Sequence, residues 1–566
     1  MNDNLSNGEL NVISTDMTNK SSTSTKESSL LVKGNYDEEL DLESSTSNSS
    51  QARPIKPRHL FLVSIGTGVG TGMLVSTGSA LRQAGPANLI IAYILVSSFI
   101  FTTYNSISEL AVVYRNLSGS YNDMFRFLID PGFAFATVFV YALNYICIMP
   151  LELVTSSLLI RFWTTKVNAD IFVMCFYVLI NAVNFIGSIG FAEFEFFVSA
   201  LKLVAVISFM IFGVVKDVGG TPGQGYIGGK YWREPGPFSS KSSIERFKGL
   251  CVCFVFACFS YGGFEVSVML SSVVKNPVYA LKKARKMLLY RIFVIYFGII
   301  IFIGLLVPYT NERLLGGGSS ESDASPLIIA VSNVNVYPHI LNAVILLSVL
   351  SVANCAYYSS ARILHSLFEQ FYPHPVLTKV DKKGRAVSCM LITSVFGLIS
   401  FFAAASFRVD FFNWLLALSG LAVLFIFLGF NMAHIRFRGA MRVQNRSLNE
   451  LAFISPTGVW GSYWGVFMIV MIFIAQFWVA LTPMGTHTPN TQSFFQNYLC
   501  AILWIICYLG YKIFNRDSQI LIPLEKIDID KNRTIFNHEE LMQKEREDYE
   551  MIKKGRFWRR ILYFFC

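Results

Sequence analysis

The sequence predicts an all-α polytopic membrane protein with twelve transmembrane helices, and three features lead to this prediction. Of the 566 residues, 53% are hydrophobic and only 15% are charged, which is too apolar for an ordinary soluble domain. Twelve separate apolar runs follow the first 59 residues, and each has about the 20 residues that cross a bilayer. Lys and Arg concentrate in alternate connections. In chain order the runs cover 60–83, 87–113, 132–160, 170–188, 192–215, 249–274, 288–308, 339–367, 386–406, 411–435, 460–482 and 494–514.

Polar segments at both ends of the chain lie outside these runs. Residues 1–58 are rich in Ser, Thr and Asn and cannot bury a core, so we predict a disordered cytoplasmic N-terminal tail. Its lysines Lys20, Lys26 and Lys33 are candidates for regulation by a ubiquitin ligase. Residues 59–515 form the predicted twelve-helix domain, and 516–566 form a cytoplasmic C-terminal tail. The tail ends in basic and aromatic residues, which favours the inner membrane interface and makes Cys566 a candidate palmitoylation site; a simple buried end is the alternative.

The distribution of Lys and Arg predicts the orientation in the membrane. Three connections are strongly basic, namely those between runs 6 and 7 (Lys275, Lys282, Lys283, Arg285, Lys286 and Arg291), runs 8 and 9 (Lys379, Lys382, Lys383 and Arg385), and runs 10 and 11 (Arg436, Arg438, Arg442 and Arg446). By the positive-inside rule these connections face the cytoplasm. Because the number of spans is even, both termini are predicted to be cytoplasmic too. The net charge of +10 reflects these loops rather than a nucleic-acid surface.

Run 1 contains four glycines in the seven residues Gly66–Gly72. Each glycine weakens a helix by about 1 kcal/mol relative to alanine, and backbone groups freed in hydrocarbon need another partner. Unwound backbone here would offer carbonyls to an ammonium and N–H groups to a carboxylate, as an α-amino acid requires. The predicted substrate contacts are Gly68, Val69, Gly70, Thr71 and Gly72. The alternative is that the glycines only let another helix pack closely.

Run 6 contains a second interruption, Phe259–Glu265, five helices after the first. This spacing is typical of a five-plus-five inverted repeat with broken helices 1 and 6, in which corresponding breaks mark the transport site. The predicted substrate contacts in this break are Phe259, Ser260, Tyr261, Gly262 and Gly263. No unpaired acid is evident for a cationic substrate, and no Arg is evident for an acidic one, so neutral amino acids fit best.

Several motifs, in order, resemble those of the fungal amino-acid permeases of the APC superfamily, and most closely the broad-range neutral branch. They include GTGVGTGMLV, AGPANLIIAY, PLELVTSS, IGGKYWREPGPF, SPLIIAV, TGVWGS and IAQFWVA. The resemblance covers roughly residues 56 to 566 and implies a LeuT-type fold with proton-coupled uptake of amino acids across the plasma membrane. No CxxC pair, HExxH or Walker loop occurs in the chain, so we expect neither a cofactor nor an enzyme.

Two departures from the family pattern keep a second function in view. Val273 stands where family members commonly have Glu. In run 10 the segment Ser419-Gly420-Leu421, a candidate for substrate specificity, is followed by Ala422-Val423-Leu424 instead of polar residues. A non-transporting amino-acid sensor of the same fold is therefore the alternative. A passive channel is disfavoured because a broken-helix site at mid-membrane implies alternating access.

Three charged residues and one amide inside the apolar runs are candidates for coupling or specificity. Lys202 lies about ten residues into run 5 and is expected to be a proton-responsive ammonium facing the bundle, rather than a side chain that snorkels to the interface. Glu152, after Pro150, is either structural or proton-linked, and Glu265 either caps the broken helix or acts as a gate. Asn354 is expected to bond across the bundle rather than to contact substrate.

Overall fold

The computed structural model describes residues 66, 68–114, 123–164, 166–221, 225–265, 268, 277–314, 325–381, 384–402, 408–486, 488–517, 519–531, 533 and 543. All of them belong to one compact unit, Ala52–Cys566. Within these ranges the chain forms helices and no β-strand, as the sequence predicts. Eight residues named above lie outside the described residues: Lys20, Lys26, Lys33, Val273, Lys275, Lys382, Lys383 and Cys566.

Eighteen α-helices follow one another in the described ranges. They are α1 (Thr71–Leu74), α2 (Thr77–Ala84), α3 (Pro86–Val113), α4 (Asp123–Leu128), α5 (Pro131–Ile160), α6 (Ala169–Ile186), α7 (Ser188–Asp217), α8 (Lys230–Arg233), α9 (Ser243–Tyr261), α10 (Pro277–Tyr290), α11 (Phe297–Leu306), α12 (Pro326–Val331), α13 (Tyr337–Phe371), α14 (Pro375–Thr378), α15 (Val387–Gly397), α16 (Arg408–Val443), α17 (Gly458–Leu481) and α18 (Thr491–Phe514). A π-helical segment, Arg291–Tyr296, joins α10 to α11.

Eight helical stretches in the described part of the chain are long and apolar enough to cross a membrane. They fall in runs 2, 3, 5, 7, 8, 10, 11 and 12, and runs 4 and 9 hold the shorter apolar helices Asp170–Ile186 and Val387–Phe401. Apolar side chains also cover outward-facing surface: on α7, Phe197, Val204 and Ile211 are each more than 60% exposed and lie two turns apart on one face. Such a surface fits lipid rather than water. The chain is a multi-pass membrane protein.

Run 7 differs from its prediction at the N-terminal end. The helix begins at Pro277, eleven residues before the apolar run, because Ala, Leu, Lys and Arg all favour helix even where hydropathy is low. Arg291 therefore lies inside the helix and is fully buried. Its placement in a cytoplasmic connection was wrong. Likewise, Arg436, Arg438 and Arg442 lie in the last turns of α16 rather than beyond its end.

The centre of the bundle is formed by α5, α13 and α16. Within the apolar part of these helices, 72%, 72% and 78% of the residues are buried, against 11% in α18 at the periphery. The two interrupted runs, which contain α1, α2 and α9, lie among these central helices: Val352 of α13 lies next to Gly70, and Val255 of α9 next to Gly420 of α16. Both breaks therefore lie in the most buried part of the helix bundle.

A buried ionic cluster fixes α3 against α16 and the start of α17. Glu109 of α3 accepts hydrogen bonds from Arg438 Nη2 at 2.7 Å and from the backbone N–H of Ser455 at 2.6 Å. His434 Nε2 lies 3.2 Å from the same carboxylate. Glu109 and His434 are fully buried. Removing one partner of such a group leaves the others charged and unsatisfied, which is costlier than losing an exposed ion pair.

We expect Glu109→Ala to destabilise the fold by about 3–5 kcal/mol, because Arg438 then loses its buried counter-ion. The matched control is Glu450→Ala, which removes the partly exposed carboxylate that pairs with Arg446 at 2.9 Å and is expected to cost about 0–1 kcal/mol. Thermal unfolding of the purified variants in detergent measures the difference. Equal losses of thermal stability for the two variants would contradict this role of the cluster.

Candidate functional site

The glycine-rich segment of run 1 is unwound where the sequence predicts a break. Helix α1 begins only at Thr71, and the preceding Gly70 is extended, with φ −141° and ψ −151°. A further bend at Val75 separates α1 from α2. The residues from Gly68 to Gly70 therefore lie outside a continuous helix, and the N–H of Val69 closes a turn onto the carbonyl of Gly66 at 3.1 Å.

Each of the four glycines lies against a different neighbouring segment. A Cβ atom built on them would meet Ser199 Oγ at 1.7 Å (Gly66), Arg291 Cζ at 2.4 Å (Gly68), Val352 Cγ2 at 2.3 Å (Gly70) and Ser260 Cα at 2.8 Å (Gly72). The interpretation that the glycines allow close packing therefore holds at all four positions. It does not exclude the other interpretation, because three of the four also face a cavity.

The second break lies in run 6, directly after α9. This helix ends at Tyr261, Gly262 is extended with ψ 154°, and Gly263 has φ +90°, a conformation that favours glycine. Helical backbone resumes at Phe264. Because the Cα of Ser260 lies so close to Gly72, the two breaks are in direct contact.

A cavity of about 550 Å³, its open mouth included, lies where the two breaks meet α5 and α13. Its lining comprises Gly68, Gly70, Thr71, Gly72, Asn144, Tyr145, Ile148, Glu152, Phe259, Gly262, Gly263, Glu265, Val352, Cys355, Ala356 and Val423. Nine of these sixteen residues are among the sequence-predicted site residues. The breaks form one wall, and the side chains of α5 and α13 form the other.

Other predicted site residues lie away from the cavity lining. These are Val69, Ser260, Tyr261, Lys202, Asn354, Ser419, Gly420 and Leu421. Asn354 accepts a hydrogen bond from Asn184 Nδ2 at 2.8 Å, which is the cross-bundle contact expected of it. Leu421 packs with Val140 and Phe425 in a separate apolar cluster. In run 10 the cavity is lined instead by Val423, one of the apolar residues that stand where family members have polar ones.

Lys202 lies behind the break of run 1 and is only 2% exposed. Its Nζ donates hydrogen bonds to the carbonyl of Gly66 at 3.0 Å and to Ser351 Oγ at 2.9 Å. The ammonium thus links run 1, α7 and α13 and does not reach the surface. Its role in coupling stays a prediction.

Glu195 is the counter-ion of Lys202, and sequence reasoning missed it. Its Oε1 lies 3.8 Å from Lys202 Nζ, and its Oε2 accepts a hydrogen bond from Ser351 at 2.5 Å. Ser199 donates to Oε1 at 3.2 Å. The available signal was spacing, because residues 195, 199 and 202 are separated by four and three positions and share one face of a helix.

Two carboxylates line the cavity itself. Glu152 accepts a short hydrogen bond from Thr71 Oγ1 of the first break, while its Oε1 is buried without a hydrogen-bond partner in the described part of the chain. Glu265 accepts from Tyr141 at 3.1 Å, from Tyr145 at 3.0 Å and from the N–H of Gly263 at 3.1 Å. Glu265 therefore ties the second break to α5, and Glu152 is the less satisfied acid.

Asn144 is a second cavity residue that the sequence interpretation missed. It is 1% exposed, and neither its Oδ1 nor its Nδ2 has a hydrogen-bond partner among the described residues. Its spacing could have revealed it, because Asn144, Ile148 and Glu152 recur every four residues along α5 and so share one face. A buried amide facing a cavity without a partner is expected to bind a ligand or water.

Sequence similarity to known proteins assigns the chain to a family. The sequence profile described as "Amino acid permease" matches residues 59–520. The chain belongs to the amino acid permease family. Its homologues are amino acid permeases, which are transporters and not enzymes, so amino-acid transport is the activity that the family supports.

Individual relatives in this family cover nearly the whole chain. The chain is 43% identical over 553 residues to the general amino acid permease AGP1 of Saccharomyces cerevisiae, covering 97% of this chain and 87% of that permease. It is 44% identical over 517 residues to the high-affinity glutamine permease of the same yeast, covering 91% and 78%. The yeast valine amino-acid permease is 41% identical over 537 residues, covering 94% and 89%.

Proposed function

We propose that this permease takes up mainly neutral amino acids together with protons across the plasma membrane. In this proposal the chain spans the membrane twelve times with both termini in the cytoplasm, and runs 1–5 and 6–10 form a LeuT-type inverted repeat. The observation that carries the proposal is the cavity at the contact of the two breaks, which holds a carboxylate, Glu152, with an unpartnered oxygen. Alternating access would expose this cavity to each side in turn.

The two ends of a zwitterion suit the two kinds of backbone group at the breaks. The C-terminal end of α9, which reaches the cavity at Phe259, carries the partial negative charge of a helix end and favours an ammonium, whereas the start of α1 at Thr71 carries partial positive charge and favours a carboxylate. No side chain is needed for this recognition. It therefore applies to every α-amino acid, and the rest of the cavity selects among their side chains.

The side-chain part of the cavity favours neutral substrates. Ile148, Val352 and Val423 give it apolar walls, and Asn144 adds one uncharged amide. Glu265 is already held by two tyrosines and a backbone N–H, and in this proposal the coupled proton neutralises Glu152, so neither acid offers a charge to a cationic side chain. This combination suits apolar and amide side chains alike, and the relatives named for valine and for glutamine illustrate both classes.

Charge balance around the cavity supports coupling to one proton. In the part of the chain that the structure describes, five buried charged residues lie at or directly behind it, the acids Glu152, Glu195 and Glu265 and the bases Lys202 and Arg291. With all five ionised the set carries three negative and two positive charges, a net charge of −1. A zwitterion adds no net charge, so one proton would neutralise the loaded site, and a site closed from water inside the membrane costs least free energy when it carries no net charge.

Uptake of radiolabelled amino acids tests the proposal. The chain is produced in cells that lack their own permeases, and uptake of leucine and glutamine is measured with and without a proton gradient. We expect saturable uptake that an inward proton gradient stimulates and that a protonophore abolishes. Binding without flux would instead indicate the amino-acid sensor, which nothing in the comparisons favours, and non-saturable flux would indicate a channel.

We expect Asn144→Leu to weaken glutamine uptake about tenfold relative to valine uptake, because the substitution removes both amide groups at nearly constant volume. Competition of unlabelled glutamine and valine against one labelled substrate measures this ratio. The matched control is Asn354→Leu, which removes another buried amide on a central helix outside the cavity lining. An unchanged ratio in Asn144→Leu, or an equal change in the control, would contradict the assignment.

A further inference from the structure

The π-helical segment Arg291–Tyr296 of run 7 lies against both helix breaks. Arg291 and Tyr296, the two ends of the segment, are fully buried. The Tyr296 hydroxyl lies 2.9 Å from the carbonyl oxygen of Gly68 and 2.7 Å from that of Ser260. Arg291 Nη2 donates to the carbonyl of Tyr261 at 3.1 Å. One short segment therefore contacts the backbone of the first break and the end of α9 at the second.

The π-helical geometry explains how two residues so far apart in sequence can act together. In an α-helix, residues five positions apart point about 140° away from each other, whereas a π turn closes between residues five positions apart. In this segment the Arg291 guanidinium accordingly lies 5.3 Å from the centre of the Tyr296 ring. Both donors face the breaks from the same side. Single π turns inside α-helices are frequent at functional sites.

The carbonyls that these donors reach belong to interrupted helices. Ser260 and Tyr261 are the last residues of α9, and Gly68 lies in the unwound segment of run 1. Carbonyls at a helix end have no N–H from a following turn, and in a membrane interior each needs another donor. The hydroxyl of Tyr296 has one proton, so it donates to Gly68 or to Ser260 and remains next to both. Run 7 thus places donors within hydrogen-bonding distance of backbone carbonyls at both breaks.

The close contact of Gly68 with Arg291 is a second, independent sign that this segment and the breaks fit each other. A Cβ on Gly68 would lie 2.4 Å from Arg291 Cζ and 2.5 Å from both terminal guanidinium nitrogens. The absence of a side chain at Gly68 is therefore what lets the guanidinium lie against the unwound backbone. Gly68 also lines the cavity.

We propose that Arg291 and Tyr296 are positioning residues for transport, which hold the unwound backbone of runs 1 and 6 at the separation that an amino acid requires. The inference rests on the proposed function, because it concerns the shape of the cavity in which the substrate binds. Neither residue lines the cavity or is assigned to touch the substrate. They act through the backbone of Gly68, Ser260 and Tyr261.

Kinetics of Tyr296→Phe test this inference, since the variant removes only the hydroxyl. We expect its KM for glutamine and leucine to rise about tenfold, the effect of one lost hydrogen bond to the backbone, while the maximal rate per molecule at the surface changes less than about twofold. The control is Tyr357→Phe, whose hydroxyl is equally buried but joins α13 to α15 through Met390 and Ser394. Its KM is expected to stay unchanged. An unchanged KM in Tyr296→Phe, or equal changes in both variants, would overturn the inference.

A double-mutant cycle between Gly68 and Arg291 gives a second readout, the coupling of the two positions in KM. Gly68→Ala is expected to raise KM strongly, and adding Arg291→Lys is expected to recover part of the loss, because a flexible ammonium can move away from the new methyl group. Strictly additive effects would overturn the inference. Wild-type protein without any uptake would overturn the proposed function instead, and the same comparisons would then be made by glutamine-dependent thermal stabilisation of the purified proteins.

Discussion

A protein carrying Lys202→Met and Glu195→Gln together is expected to reach the plasma membrane and bind amino acids but to lose their accumulation against a gradient. The ammonium of Lys202 joins Gly66 of the first break to Ser351 of α13, so it can transmit the protonation of the site to the break. Methionine keeps the length of the side chain and removes the charge. Uptake as a function of external pH measures the effect: the acid-stimulated part is expected to disappear.

The paired substitution is needed because Glu195 is buried beside Lys202. Lys202→Met alone would leave an unpaired buried carboxylate and destabilise the fold by about 3–5 kcal/mol, which would hide any effect on coupling. The control is Lys216→Met, another buried lysine of α7, whose Nζ donates to the carbonyl of Ala330 at 2.5 Å. This control is expected to keep its pH dependence. Normal acid-stimulated accumulation in the double variant would show that Lys202 takes no part in coupling and would leave that role to Glu152 or Glu265 alone.

Gly70→Val is expected to abolish uptake while the protein still reaches the surface, because a β-branched side chain would occupy the unwound backbone beside the cavity. The structure adds a second cause, since a Cβ at this position meets Val352 Cγ2 at 2.3 Å. Overpacking of this kind typically costs about 1–3 kcal/mol. Radiolabelled uptake, corrected for the amount of protein at the surface, measures the loss.

Gly70→Ala combined with Val352→Ala separates these two causes. The smaller residue at 352 makes room for the new methyl group, so a glycine needed only for packing would be replaceable in this background. We expect the double variant to remain at least about tenfold weaker in KM than Val352→Ala alone, because the methyl group still lies where the backbone approaches the substrate. Equal KM values would show that Gly70 serves packing alone.

Much of the fold followed from local composition. The glycines of Gly66–Gly72 and the pair Gly262-Gly263 marked the interrupted helices because glycine disfavours helix wherever it occurs. Hydropathy located the apolar helices because it, too, depends only on residues that are close together in the sequence. The count of basic residues in the connections failed at Arg291, which lies at the start of run 7, because a count of charges cannot distinguish a loop cation from one buried inside a helix by partners distant in sequence.

The contacts between different segments inside the site could not be predicted from local composition. Glu195 and Lys202 share a helix, and their spacing was a usable signal, but the contacts to Ser351 and Gly66 join segments more than a hundred residues apart. The four-residue spacing from Glu152 back to Asn144 could also have indicated Asn144 as a residue on the same face of α5. That Tyr296 reaches two broken helices depends on a π turn, and no sequence pattern used above predicts one.

Proton movement driven by an amino acid tests the central claim most directly. The purified permease is reconstituted in liposomes that contain a pH-sensitive dye, and glutamine or leucine is added outside without any imposed gradient. The account predicts acidification of the interior at about one proton per amino acid taken up, with no acidification in Glu152→Gln liposomes. Amino-acid influx at an unchanged internal pH would contradict it.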